Sequence, residues 1–196
     1  MIIGLTGGIA AGKSTVRQLL APRGSMRAFD ADAAVRRMLD SDPQIISAIG
    51  NAFGQEFIGM DGKPDRARLR EAIYADPQAR HRLEGILHPL VRAEWLALRD
   101  ECLATGVDML ADIPLLYETG AEGFFDVALV VGCSRDTQVD RLHARGIGPK
   151  MAEAMLASQW PIGQKVQRAD FVIWNDGSLA ALGRQSELLL NQLIPA

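Results

Sequence analysis

Cysteine, lysine and long apolar runs are scarce in this chain, and each shortage removes a class of function. Its 196 residues contain only Cys102 and Cys133, far apart in sequence. That spacing serves neither a metal site nor a redox pair, so both thiols are expected to be reduced and structural. Lysine is limited to four positions, against 17 arginines. A net charge of −3 lacks the basic footprint of a nucleic-acid binder, so no nucleic-acid partner is expected. No apolar run approaches the roughly 20 residues of a membrane-spanning helix, so no membrane partner is expected either. What is present, 48% hydrophobic and 23% charged residues, suits one α/β domain large enough for a full core. The arginine excess supplies cations able to pair bidentately with phosphate; a compositional bias toward ordinary surface arginines explains it equally well.

Glycine is plentiful, and one cluster of it carries chemistry. Gly7-Gly8-Ile9-Ala10-Ala11-Gly12-Lys13-Ser14 matches G-x-x-x-x-G-K-[ST], the phosphate-binding loop. The apolar Ile2–Thr6 before it predicts a buried strand, and Thr15–Leu20 after it an amphipathic helix. In that setting the glycines let backbone N–H groups turn inward around a phosphate chain. The helix N-terminus adds a partial positive charge. Gly8, Ile9, Ala10, Ala11, Gly12, Lys13, Ser14 and Thr15 are therefore candidate nucleotide-binding residues. Lys13 reaches the terminal phosphates, and the Ser14 hydroxyl can ligate Mg²⁺. A motif beginning at residue 7 leaves no room for a signal peptide, and a cytoplasmic enzyme is expected. A GTP-dependent switch would need Asn-Lys-x-Asp after a strand, whereas Asn175 is followed by Asp176-Gly177-Ser178.

Five short apolar runs predict strands at Ile2–Thr6, Met26–Asp30, Val107–Asp112, Val127–Gly132 and Phe171–Trp174. They alternate with helical patterns, the signature of a doubly wound α/β fold with a parallel sheet. A helix from Lys13 to about Ala21, then Pro22-Arg23-Gly24-Ser25, joins the first two strands. The segment from about 31 to 106 reads as helical, with Asp42-Pro43 and Asp76-Pro77 as helix starts. Its helices are expected at Arg66–Tyr74, Gln78–Leu87 and Pro89–Ala104, with a β-turn at Asp61-Gly62-Lys63-Pro64. After the fourth strand, Ser134-Arg135-Asp136 caps a helix carrying Gln138, Arg141 and Arg145. Gly146-Ile147-Gly148-Pro149 breaks it, and a second helix runs from about Lys150 to Trp160. Two helices around a Gly/Pro hinge make a mobile lid or an ordinary crossover; the arginines one turn apart on one face favour the lid.

Phosphoryl transfer requires a clamped triphosphate, Mg²⁺, an aligned acceptor and cations for the transition state. Asp30-Ala31-Asp32 is expected to end the second strand with both carboxylates on one side, at the end of the sheet where ligands bind. An aspartate there can accept a proton from an acceptor hydroxyl, and one of the pair can cap the helix that follows. Asp112 ends the third strand as a Walker-B-like carboxylate for Mg²⁺, or else as a turn residue. Arg141 and Arg145 are candidate triphosphate and transition-state cations, or else part of a solvated helix face. His88 is expected to contact the acceptor rather than to catalyse, because phosphoryl transfer needs no histidine. Asn175 closes the last strand, either beside a nucleotide base or in a plain turn.

These residues resemble the dephospho-coenzyme A kinase family over nearly the whole chain. The resemblance is carried by Gly4–Ile9 with the phosphate loop, Phe29-Asp30-Ala31-Asp32, Phe53-Gly54, Asp61-Gly62 through Leu69, and His88-Pro89-Leu90-Val91-Arg92. It continues through Asp112-Ile113-Pro114-Leu115-Leu116-Tyr117-Glu118 and then Arg141, Arg145, Gln159, Lys165, Ala169-Asp170 and Asn175. The resemblance implies a P-loop nucleotide-kinase fold in a single domain: a core (1–32, 106–134, 163–196), a helical acceptor-binding insertion (about 33–105) and a small lid (about 135–162). It implies ATP-dependent phosphorylation of the ribose 3′-hydroxyl of dephospho-coenzyme A, by a monomer or weak homo-oligomer. Asp32 is then the acceptor-side base. Lys13, Ser14 and Mg²⁺ hold the triphosphate with Asp112 at the metal, and Arg141 or Arg145 neutralises transferring charge. Asp32, His88, Arg92, Leu115 and Tyr117 contact the acceptor. The chain departs from the family at Ala10 and Ala11, where Gly and Ser are usual, so Ala10 must take up a torsion natural to glycine. Its lid linker Gly146–Lys150 is one residue short of the usual acidic turn.

Overall fold

The computed structural model describes residues 1–20 and 26–193. Five strands form one parallel sheet in the order β2-β3-β1-β4-β5. These are β1 (Ile2–Gly7), β2 (Arg27–Asp30), β3 (Met109–Asp112), β4 (Val127–Gly132) and β5 (Phe171–Trp174). β1 pairs in parallel with both β3 and β4, and β4 with β5. Central strands of a helix-covered parallel sheet are buried on both faces, which is why they read as continuous apolar runs. Every residue of β1 and β3 is buried, whereas the edge strands β2 and β5 carry exposed positions. The third strand is shorter than its apolar run suggests, because residues 107 and 108 precede its ladder.

The chain divides into two compact units, Met1–Phe29 with Leu98–Ala196, and Asp30–Ala97. In the first, α1 (Lys13–Leu20) and α9 (Leu179–Leu193) pack on the sheet. Their Val16, Leu20, Leu182, Leu189 and Leu190 join Ile3, Leu5, Leu110, Leu129, Val131 and Ile173 in one core. α6 (Arg135–Ala144), α7 (Pro149–Ala157) and α8 (Ile162–Gln167) connect β4 to β5. Pro149 opens α7 as its first helical residue, and α8 takes up part of a stretch not expected to be helical. The end of the first helix at Ala21 and the connection Pro22-Arg23-Gly24-Ser25 lie outside the described residues.

The second unit is helical: α2 (Ala31–Ser41), α3 (Pro43–Phe53), α4 (Arg66–Ala75) and most of α5 (Pro77–Thr105). Aspartates open these helices. Asp30 accepts from Ala33 N, Asp42 from Gln44 N, Asp65 from Ala67 N and Asp76 from Gln78 N, at 2.8–3.0 Å. Arginines tie them together: Arg37 to Glu94 (2.5 Å), Arg66 to Asp40 (2.6 Å), and Arg82 over the Phe53 ring. Two expectations are corrected here. α5 is one helix of 29 residues running through Pro89, not two. The turn lies two residues early, at Gly59–Gly62, because Gly59 N also bonds Lys63 O and Ile58 bridges Pro64 in a miniature hairpin.

Candidate active site

The phosphate loop leaves β1 and is held from the first residue. Gly8 N donates to Val131 O on β4 (3.2 Å), and Ala11 N turns back to Gly8 O (3.2 Å). Thr15 N and Val16 N bond Gly12 O as α1 begins. Ala10 adopts φ 56°, the left-handed conformation anticipated from its family departure. For an alanine that costs about 1–2 kcal/mol, which the surrounding structure must offset. Ala11 fits because its methyl is fully buried in the core. Lys13 and Thr15 are half-buried, and the Ser14 hydroxyl is on an exposed residue at the start of α1.

Strand order decides what faces this loop. Leu5 of β1 is in register with Asp112 of β3, so the buried Asp112 carboxylate lies beside the loop. Lys13 Nζ and Arg17 Nε each approach it to 3.8 Å. Carboxylate and hydroxyl oxygens suit Mg²⁺, which takes few protein ligands and keeps water and phosphate for the rest. No cluster of three or more His, Cys, Asp or Glu suited to a metal occurs among the described residues.

On its other side the loop meets three side-chain donors. Gln138 Nε2 donates to Ile9 O (2.7 Å). Arg141 Nη1 reaches Ala10 O (3.2 Å) and Ala11 O (3.3 Å), and its Nη2 reaches Asn175 O (2.9 Å). Asn175 Nδ2 donates to Ala11 O (2.8 Å). Asp176 secures the assembly from behind by accepting from Ser134 N (2.9 Å) and Trp174 Nε1 (2.9 Å). The Ser134 amide, with these other donors, holds the Asp176 carboxyl below its usual range. Arg145, by contrast, is the exposed C-cap of α6.

The turn after β3 is supported by a buried charge. Lys165 has no exposed surface; its Nζ donates to Glu118 Oε1 (2.8 Å) and Pro114 O (2.9 Å). Thr6 Oγ1 shares the Pro114 carbonyl (3.0 Å), and Trp160 N bonds Glu118 Oε1 (2.8 Å). Burial lowers the Lys165 ammonium against the opposing effect of Glu118. Leu115 is half-buried, and the buried Tyr117 stacks on Trp160 with ring centroids 6.3 Å apart. Burial, then Asp170 and Glu122, pushes the Tyr117 phenol up to about 12.

The remaining candidates belong to the helical unit. The strand ends at Asp30, so Asp30 and Asp32 do not share a strand face as expected. Asp30 is the N-cap of α2, and Asp32 is an exposed residue of its first turn. His88 lies inside α5, its pKa lowered by burial and partly restored by Glu84 one turn earlier. Arg92 lies over the Trp95 ring at 5.9 Å. The structure thus brings together Lys13, Asp112, Arg141 and Asn175, and adds two residues to which sequence reasoning gave no role, Gln138 and Lys165. Gln138 had a signal, since it shares a helix face with Arg141 at i, i+3. Lys165 was marked only by its place in the family resemblance, since a single lysine in a polar stretch usually faces water.

A glycine-rich loop between the central strand of a parallel sheet and a helix, with Lys13 and a strand-end carboxylate beside it, defines a P-loop phosphotransferase. The dephospho-CoA kinase family matches residues 1–181. A dephospho-CoA kinase from Anaeromyxobacter dehalogenans is 45% identical, over 98% of this chain and 92% of its own length. Another, from Methylococcus capsulatus, is 40% identical over 96% and 94%. A solved Thermus thermophilus structure superposes with a TM-score of 0.76 at 32% identity, covering 98% of this chain and 97% of the other. The chain belongs to the dephospho-CoA kinase family, and it is a kinase of coenzyme A biosynthesis.

Proposed function

We propose that this chain transfers the γ-phosphoryl group of ATP to the ribose 3′-hydroxyl of dephospho-coenzyme A, giving coenzyme A and ADP, in the last step of coenzyme A synthesis. The observation that carries the proposal is the phosphate loop, anchored on β4 by Gly8 and pinned at three successive carbonyls. Backbone amides of residues 8–15 receive the β- and γ-phosphates, and Lys13 moves from Asp112 toward the transferring group. Ser14 and Asp112 are the residues that would hold Mg²⁺. When bound, the ion neutralises charge building on the phosphate oxygens. Asp32 takes the proton from the 3′-hydroxyl as its oxygen bonds to the γ-phosphorus, and the bond to the β–γ bridging oxygen breaks. Arg141 or Arg145 balances the equatorial charge; Arg141 lies at the loop, where it donates to the Ala10 and Ala11 carbonyls and must turn toward the phosphates to serve. His88, Arg92, Leu115 and Tyr117 contact the acceptor, and Asn175 borders the nucleotide. Residues 1–32, 106–134 and 163–196 form the catalytic core, about 33–105 the acceptor-binding insertion, and about 135–162 a lid. The chain works in the cytoplasm as a monomer or weak homo-oligomer; no described helix is long and apolar enough to cross a membrane.

The test is ADP release by the purified chain with Mg-ATP and dephospho-coenzyme A, compared with shikimate and nucleoside monophosphates as acceptors. Turnover specific to dephospho-coenzyme A is expected; none with that acceptor refutes the proposal. Asp32→Asn is expected to cut turnover by about 10²- to 10⁴-fold with little change in the KM for ATP. Undiminished turnover removes Asp32 from the base role.

A further inference from the structure

Gln138 is 5% exposed, yet its carboxamide is spent on a single main-chain carbonyl of the phosphate loop, Ile9 O. The loop is shaped to admit it. A Cβ built on Gly8 would lie 2.5 Å from Gln138 Nε2. Asn175, 7% exposed, repeats the arrangement: its Nδ2 bonds Ala11 O, and a Cβ on Gly12 would overlap that nitrogen. Each of these two motif glycines therefore makes room for a carboxamide. Amides can converge on an anion only if the alternating carbonyls turn away, and carbonyls turned into protein need donors. The need is sharper here because Ala10 holds a left-handed backbone unaided by glycine.

We propose that Gln138 is a positioning residue of the phosphate loop. Seated in the space left by Gly8, with Asn175 as its counterpart at Gly12, it holds the Ile9 carbonyl outward. The loop amides are thereby aimed at the polyphosphate before nucleotide arrives. This rests on the nucleotide-binding part of the function proposed above, not on the identity of the acceptor.

Gln138→Met keeps the length and removes the donor; Gln138→Asn keeps the carboxamide but shortens its reach. Both are compared with the unaltered full-length chain by calorimetric titration with Mg-ATP, steady-state kinetics, and deuterium exchange of the loop amides without nucleotide. Each variant is expected to bind Mg-ATP roughly five- to twentyfold more weakly, the loss of about one hydrogen bond's preorganisation. The KM for ATP should rise in step, the KM for dephospho-coenzyme A should stay within about twofold, and residues 8–12 should exchange faster. Unchanged ATP affinity and exchange in either variant overturns the proposal. So does a lowered melting temperature with both KM values shifted alike, which marks Gln138 as merely structural. If the unaltered chain binds Mg-ATP but leaves dephospho-coenzyme A unphosphorylated, the acceptor assignment fails and this proposal stands. If the unaltered chain does not bind Mg-ATP, both fall.

Discussion

A lysine with no exposed surface must have its ammonium satisfied by the protein. Lys165 meets that demand with one carboxylate and one carbonyl, Glu118 and Pro114. Removing one member of such a pair strands the other. Lys165→Met is therefore expected to destabilise the chain by about 3 kcal/mol in urea unfolding. Adding Glu118→Gln to that variant should recover part of the loss, because the amide carries no buried charge and still accepts from Trp160 N. An unaltered midpoint in the single variant would show that the pair contributes no net stability. The same residue explains a limit of sequence reading. Phosphate-loop geometry is local, so its spacing is visible in eight residues. The carbonyls that Lys165, Gln138 and Asn175 bond lie 51, 129 and 164 positions away, and no local pattern reports them.

Among the elements, α5 shows how a helix outlasts its apparent breaker. Proline removes a hydrogen bond and crowds the carbonyl four residues earlier, which is why the sequence suggests a break at His88-Pro89. The residue four earlier is Gly85, with nothing within 4 Å of where a Cβ would stand. Gly85 and Pro89 are both exposed, so a carbonyl displaced by the ring can bond water, and the helix runs on through the proline. Pro89→Ala should restore the missing bond and raise stability by about 1–3 kcal/mol, read as a higher urea midpoint. A lower midpoint would show that the proline is required by packing. Asp30 is the converse case. Its side chain captures Ala33 N and starts α2 one residue after the strand, so the period-two argument linking it to Asp32 has no strand to act on.

For the molecule as a whole, burial of His88 links stability to acid. Its native pKa lies below the unfolded value near 6.5. Between the two values the unfolded chain binds more protons than the native one, so stability rises with pH there. The penalty is absent above about pH 6.5 and grows as pH falls toward the lowered native pKa. His88→Gln should flatten that part of the profile, measured as urea midpoints at about pH 7.5 and about pH 5.5. Equal acid sensitivity in variant and parent would remove His88 as the cause.

Sequence alone determined the phosphate loop, the five strands and the aspartate-capped helices, because each is written in contiguous residues through periodicity, capping or motif spacing, and it determined the family because such motifs follow one another in order along the chain. Tertiary structure decided which groups hold the loop. Placing β1 between β3 and β4 brings Asp112 beside it and Val131 against it. The same packing turns Gln138, Arg141 and Asn175 onto its carbonyls and keeps Ala10 left-handed. Those contacts depend on strand order and on close packing between segments distant in the chain, and only folding brings such segments together.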